Sequence, residues 1–103
     1  MIVRLTAAGA VVLDADDCTA LHLETELQGG KLWAALATTD TGAADPDGKH
    51  VWLDLAVLRS RAKLVATAGD WAQRWTAMVD HARQNGWLSA DDRSVRVHVE
   101  ALA

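Results

Sequence analysis

Apolar and polar residues alternate along several short stretches of the chain, which is the pattern of β-strands with one buried face. We expect strands over residues 2–6, 10–13, 20–27, 50–53 and 94–100. The stretch 20–27 is the clearest, and its apolar face holds Leu21, Leu23, Thr25 and Leu27. Its polar face holds His22, Glu24 and Glu26. In the last stretch, three valines alternate with Arg96, His98 and Glu100.

Three other stretches repeat apolar residues at helical spacing. Helices are predicted over residues 55–65 and 71–85, because Asp54 and Asp70 stand where an N-cap residue belongs. Gln73 also stands where a capping-box partner of Asp70 belongs. Residues 31–38 admit two interpretations, a hairpin strand after the preceding glycines or a short helix. Their alanines and the spacing of their leucines favour the helix.

The order of these elements is ββ-β-α-β-α-α-β, which predicts a single α+β domain over residues 1–103. We expect a small, mostly antiparallel sheet with about three helices packed on one face. In the helix over 55–65, the apolar stripe is predicted to contain Leu55, Leu58, Ala62 and Val65. In the longer helix it is predicted to contain Trp71, Trp75, Met78, Val79 and Ala82. Residues 38–49 read as a turn-rich loop around the only proline.

The net charge of −4 is spread unevenly, with −5 in residues 1–50 and +1 in residues 51–103. Residues 1–50 hold three Lys or Arg and eight Asp or Glu, whereas residues 51–103 hold seven and six. Because no basic stripe exists, we expect no nucleic-acid partner. No apolar run approaches the roughly 20 residues of a membrane span, and none resembles a signal peptide. A soluble cytoplasmic protein with no membrane partner is the expectation.

Known cofactor and metal motifs are missing from the sequence. Cys18 is the only cysteine, so neither an internal disulfide nor a cysteine-based zinc site can form. Phosphate-binding loops, a GxSxG elbow and a CxxC pair are absent, and the four histidines form no i, i+4 pair. The cluster of Asp14, Asp16 and Asp17 lacks the spacing of a calcium loop. We therefore expect no cofactor and no metal ligand.

Two groups of residues are candidates for acid–base chemistry. The first joins the polar strand faces: if the strands containing His22 with Glu24 and His98 with Glu100 are neighbours, imidazoles and carboxylates meet on one surface. The second is His50 with Trp52 and Asp54, at the end of a loop. The simpler interpretation of the first group is the solvated faces of strands that pack on helices. In the simpler interpretation of the second group, Trp52 belongs to the core, Asp54 is a helix cap and His50 is an exposed residue at the strand edge.

The aromatic composition is unusual, with five tryptophans and no phenylalanine or tyrosine. Indole rings can line a pocket for a flat or apolar ligand, and the candidate ligand-binding residues are Trp33 and Trp52. A chain without other large aromatic residues must also fill its core with tryptophan, and this interpretation is favoured.

Three segments carry a resemblance to a known group of proteins. They are His50-Val51-Trp52-Leu53-Asp54, Gly86-Trp87-Leu88 and Val95-Arg96-Val97-His98-Val99-Glu100, and Trp71 accompanies them. This combination resembles a family of small proteins encoded in actinobacterial genomes, and the resemblance covers residues 50–100 best. The family has no known activity, so the resemblance implies no catalytic residue and no substrate.

Three hypotheses of function follow from the sequence. The first is a small accessory or interaction protein, homodimeric or bound to another protein, because the chain is short, lacks motifs and leaves sheet edges open. The second is a cofactor-independent enzyme of isomerase, lyase or cyclase type, using a histidine–carboxylate pair on an apolar metabolite in a tryptophan-lined pocket. The third is a small-ligand binder without catalysis. The first ranks slightly above the second.

Overall fold

The computed structural model describes residues 1–102 and has the α+β architecture that the sequence predicts. Its strands are β1 (Ile2–Thr6), β2 (Gly9–Leu13), β3 (His22–Thr25), β4 (Gly42–Ala44), β5 (His50–Asp54) and β6 (Ser94–Ala101). Its helices are α1 (Gly29–Thr38), α2 (Leu55–Val65) and α3 (Trp71–Gln84). In the described part of the chain, every helix falls short of what a membrane crossing needs in length and apolar character.

The strands form one six-stranded sheet in the order β2-β1-β3-β6-β5-β4. The pairs β1–β2, β4–β5 and β5–β6 are antiparallel, whereas β1–β3 and β3–β6 are parallel. The prediction of a mostly antiparallel sheet is confirmed, with two parallel pairs at its centre. Strands distant in sequence thus become neighbours, since β3 pairs with the last strand of the chain.

One face of the sheet is apolar and packs against the three helices. Alternation places the strand residues of the core on this face, and Leu23 and Val51 have no exposed surface at all. The core's helical residues include Leu36, Ala62 and Trp75. Thr25 is buried there too, and its hydroxyl donates a hydrogen bond to the carbonyl of Leu5 at 2.8 Å. Burial of alternate strand residues therefore determines which residues remain for the opposite face.

The helix predictions are confirmed, including the short helix α1 in place of a hairpin strand. In α2, Leu58 and Ala62 are buried as expected, but Val65 is 55% exposed because the helix ends there. In α3, Trp71, Trp75 and Ala82 are buried, and Met78 and Val79 pack against the core.

The two predicted N-caps behave differently. The Asp54 carboxylate accepts a hydrogen bond from the Val57 N–H at 3.0 Å, as a cap should. Asp70 makes no side-chain cap bond, so the cap and its capping box with Gln73 are wrong. Its carboxylate forms an ion pair with Arg74 at 3.0 Å instead, and Gln73 N–H bonds the Asp70 backbone carbonyl at 3.1 Å.

Two strand boundaries also differ from prediction. The predicted strand over 20–27 is shorter in the structure, where β3 ends at Thr25 and begins three residues before it. Leu21 and Leu27 lie outside the strand but still pack against the core. The predicted loop 38–49 contains the short strand β4, which pairs with β5 through Gly42 and two alanines. These residues lack the alternation and β-branching that mark a strand, so only the neighbouring strand explains their conformation.

Candidate functional site

The sheet face opposite the helices carries most of the predicted site residues, and we call it the outer face. It contains Arg4 of β1, His22 and Glu24 of β3, and Arg96, His98 and Glu100 of β6. The parallel register aligns Glu24 with Glu100 directly. The condition set by the sequence is therefore met: the two strands are neighbours, and their imidazoles and carboxylates share one surface.

Two histidines and two glutamates form a compact group at the centre of the outer face, the His–Glu cluster: His22, Glu24, His98 and Glu100. The rings of His22 and His98 stack with centroids 5.3 Å apart and planes inclined by 17°. His22 Nε2 lies 3.3 Å from Glu24 Oε1 and 3.4 Å from Glu100 Oε2. His98 Nε2 lies 3.2 Å from Glu100 Oε1. Donor atoms of His22, His98 and Glu100 lie within 4.8 Å of one another, so these three residues could hold a metal ion.

The inner half of this cluster is held in place by its neighbours. The His22 and Glu24 side chains are each 14% exposed, whereas His98 and Glu100 are more than half exposed. Arg4 donates a hydrogen bond to Glu24 Oε2 at 2.9 Å. The Arg4 guanidinium, followed by the His22 ring, holds the pKa of the Glu24 carboxyl below its ordinary value. Glu24 is thus a fixed anion beside His22, the arrangement that orients an imidazole for acid–base work.

A second polar group surrounds His50 and Trp52 near the opposite edge of the sheet. Arg96 donates to Asp45 at 2.9 Å and to Asp47 at 2.7 Å. Trp52 Nε1–H donates to Asp45 at 3.1 Å, and His50 Nδ1 lies 2.6 Å from Asp47. Because each of these side chains is engaged in holding the β4–β5 turn, the geometry favours the structural interpretation of His50 and Trp52.

Hydrogen bonds stabilise both aspartates of this turn as anions. The backbone N–H of Lys49 is the main cause that lowers the pKa of Asp47 to about 2, and the ring and N–H of His50 add to it. The backbone N–H of Asp47, followed by Arg96, lowers the pKa of Asp45. These carboxylates stay charged at neutral pH, and their hydrogen bonds hold the turn in its conformation.

The tryptophans divide between core and surface. Trp71 and Trp75 are buried and lie 5.6 Å apart, which fits core filling. Trp33 is 58% exposed on α1, and Trp52 lies half-buried on the outer face rather than in the core, because it alternates with the buried Val51 and Leu53. Since α1 packs on the other face of the sheet, the two candidate ligand-binding tryptophans lie on opposite sides and are not brought together.

A groove with a volume of about 790 Å³ lies between the loop after β2 and helix α3. Leu21, Ala77 and Met78 form its apolar wall, and Cys18 and His81 border it. No tryptophan is among its lining residues, and none of them belongs to the His–Glu cluster. Burial is the main cause that raises the pKa of the Cys18 thiol, so this cysteine is a poor nucleophile.

Arg4, Asp45 and Asp47 were not among the residues that the sequence singled out for the site. Arg4 occupies a polar position of β1, which the alternation alone identifies as outward-facing, but its partner Glu24 depends on the β1–β3 pairing. Asp45 and Asp47 flank the only proline in a turn, and such aspartates are common in turns without any site. Nothing in the sequence connects them with Arg96, 49 to 51 residues away.

The fold and this surface define an α+β protein whose sheet carries a His–Glu cluster on the face that the helices leave free. No family model, curated protein or solved structure matches the chain.

Proposed function

We propose that the protein is a small interaction protein that works as a homodimer, with β2 as the strand through which two copies pair. The proposal is carried by the contrast between the two edges of the sheet. β2 is an edge strand of five residues, Gly-Ala-Val-Val-Leu, without a charge or a proline. An edge strand offers unpaired backbone N–H and C=O groups, and proteins usually protect it with charge, proline or shortness.

The opposite edge has the protection that β2 lacks. β4 is only three residues long, and Asp45 and Pro46 follow it directly. Asp45 is also bound to Arg96 and Trp52, which holds the end of this edge in place. Pairing with a second molecule is therefore favoured at the β2 edge.

Apolar side chains border β2 on both sides of the sheet. Val11, at the centre of the strand, is 55% exposed on the outer face. On the helix side, Leu64 and Val65 at the end of α2 are 86% and 55% exposed. Val65 and Val12, the β2 residue that faces the helices, line one shallow depression beside the strand. Removing such side chains from water favours association by about 25 cal/mol per Å² of apolar surface.

A second copy is the partner that this surface fits. Two β2 strands related by a two-fold axis would run antiparallel and extend the sheet, with the two Val11 side chains facing each other. Because the strand is uncharged, no like charges would meet along it.

Sedimentation velocity over a concentration series tests the proposal. We expect a dimer for the wild type and a dissociation constant raised at least about 10-fold in Val11→Lys, because a lysine on an edge strand opposes pairing. Ala34→Lys, at an exposed position of α1, adds the same charge away from the edge and should leave dimerisation unchanged. A monomeric wild type, or equal dimerisation of the two variants, would contradict the proposal; circular dichroism checks that both are folded.

Acid–base catalysis is the second candidate, and one observation favours it: His22 is mostly shielded and lies 3.3 Å from the Glu24 carboxylate. The two grooves beside the loop after β2 are lined by none of the residues of the His–Glu cluster. Acid–base catalysis therefore ranks second. Deuterium exchange at the α-carbon of an apolar ketone, followed by proton NMR, measures proton abstraction directly. Exchange by the wild type no faster than by His22→Gln would eliminate this candidate.

A further inference from the structure

Nitrogen and oxygen atoms that can coordinate a metal ion converge in the His–Glu cluster. Nδ1 of His22 lies 3.1 Å from the carbonyl oxygen of Ala20. A carbonyl oxygen can only accept a hydrogen bond, so Nδ1 carries the ring proton. In the neutral ring this leaves a lone pair on Nε2, which points at the outer-face carboxylates.

In this neutral form the Nε2 lone pair of His22 faces other electron-rich atoms. Oxygens of Glu24 and Glu100 lie 3.3 and 3.4 Å from it, and neither carboxylate has a proton to donate when ionised. His98 Nε2 lies 3.2 Å from Oε1, the other carboxylate oxygen of Glu100. A proton on Nε2, or a metal cation bound among these atoms in its place, offsets the mutual repulsion of the lone pairs.

We infer that His22, His98 and Glu100 form a binding site for a divalent transition-metal ion of the Zn²⁺ class. Two imidazole nitrogens and one carboxylate are the three protein ligands of many open zinc sites, with water in the fourth position. Hard cations such as Mg²⁺ and Ca²⁺ prefer a set made of oxygens, so this donor set selects against them.

The surroundings of His22 match those of a metal-binding histidine. A ligating imidazole usually donates its other N–H to a backbone carbonyl or a carboxylate, which fixes the ring and the tautomer. The Ala20 carbonyl does this for His22. Glu24, held by Arg4, is a positioning residue beside the ligands rather than a ligand itself.

Metal binding requires the exposed ligands to move slightly closer to His22. The donor atoms now lie within 4.8 Å of one another, and bonds of 2.0–2.1 Å in a tetrahedral site bring them to about 3.3 Å. His98 and Glu100 are 54% and 53% exposed, so their side chains have room to move toward the fixed His22. The stacked rings already bring the two imidazoles side by side.

The test is a Zn²⁺ titration of the untagged full-length chain in competition with a chromophoric chelator. We expect one Zn²⁺ per chain, and a loss of affinity of at least about 100-fold in His22→Gln and in His98→Gln, more than the roughly 10–100-fold typical of an orienting partner. His81→Gln removes an exposed histidine of α3 and should bind Zn²⁺ like the wild type. Circular dichroism establishes that each variant is folded.

Cobalt substitution adds a readout of the ligand sphere itself. Co²⁺ bound in a low-symmetry four-coordinate site absorbs visible light much more strongly than hexaaqua Co²⁺, and this absorption should disappear in His98→Gln. Wild-type Zn²⁺ affinity no greater than that of the His22→Gln/His98→Gln double variant would overturn the inference, as would an equal loss in His81→Gln. The cluster lies on β3 and β6, away from β2, so this result is independent of the dimerisation test.

Discussion

At the scale of single residues, Asp47 shows how the neighbouring hydrogen-bond donors determine the role of an aspartate. Asp47 accepts hydrogen bonds from the backbone N–H groups of Lys49 and His50, from the His50 ring and from Arg96. These donors favour the charged carboxylate, since protonation would remove its acceptor capacity for them. The polar groups gathered around His50 are thus explained by the turn that they stabilise.

Asp47 makes stability depend on acid pH. Its folded pKa of about 2 lies below the ordinary 3.8, so the stabilisation is fully present above about pH 4 and is lost as the pH falls through about 2. We expect Asp47→Asn to reduce the free energy of unfolding at pH 6, and the difference from wild type to shrink steadily toward pH 2. Urea unfolding at several pH values measures this.

The exposed Asp40→Asn, which removes one charge elsewhere, is the control for Asp47→Asn. If Asp47→Asn differs from wild type equally at pH 6 and pH 2.5, the carboxylate's hydrogen bonds do not stabilise the fold.

At the scale of elements, helix ends show how local signals are obeyed or overridden. The α3 C-terminus follows its sequence signal fully: Gly86 adopts a φ of 72°, and the N–H of Trp87 donates to the Ala82 carbonyl at 2.9 Å. This is the Schellman arrangement that a glycine after a helix predicts. The α3 N-terminus departs from its signal because Arg74, one turn along, competes for the Asp70 carboxylate.

The two helix N-termini give a matched pair of variants. Asp54→Ala removes a real cap bond and should lower the free energy of unfolding by about 1 kcal/mol. Asp70→Ala removes only an exposed i, i+4 ion pair and should cost about 0.3–0.5 kcal/mol. Chemical denaturation of both variants under one condition checks the order; a larger loss in Asp70→Ala would mean that its carboxylate caps α3 in solution.

At the scale of the whole molecule, one apolar layer between sheet and helices holds the elements together. Trp71 and Trp75 pack together in this layer, and the Trp71 indole N–H donates to the Ala15 carbonyl at 2.8 Å. That bond connects α3 to the loop after β2. Asp16 of the same loop accepts hydrogen bonds from the N–H groups of Thr67 and Ala68 in the α2–α3 linker, each at 2.9 Å. The loop and the α2–α3 linker are thereby held to each other.

The buried and exposed tryptophans should differ sharply in their contribution to stability. Trp75→Ala should cost about 3–5 kcal/mol, the usual penalty for deleting a large buried aromatic side chain. Trp33→Ala removes a side chain that is 58% exposed and should change stability by less than about 0.5 kcal/mol. Thermal and urea unfolding measure both, and a similar loss in the two variants would contradict the assignment of the core.

Which residues face the core and which face outward follows from the alternation in the strands alone. Leu23 and Val97 are buried while Glu24 and His98 turn outward, because successive side chains of a strand point to opposite faces. The two longer helices were predicted equally well from their apolar spacing, whereas residues 31–38 also admitted a hairpin strand. The strand β4 was not, because its glycine and alanines carry no strand signal of their own.

The composition of the candidate site required the tertiary structure. His22 and His98 are far apart in the chain, and only the pairing of β3 with β6 stacks their rings. Backbone hydrogen bonds form in the same way whichever residues are paired, so they do not select the partner strand. Alternation therefore determines on which face of the sheet a side chain lies, but not which strand lies beside it. The sequence therefore determined the two faces of the sheet, whereas the strand order, decided by packing of the whole chain, determined which outward residues meet.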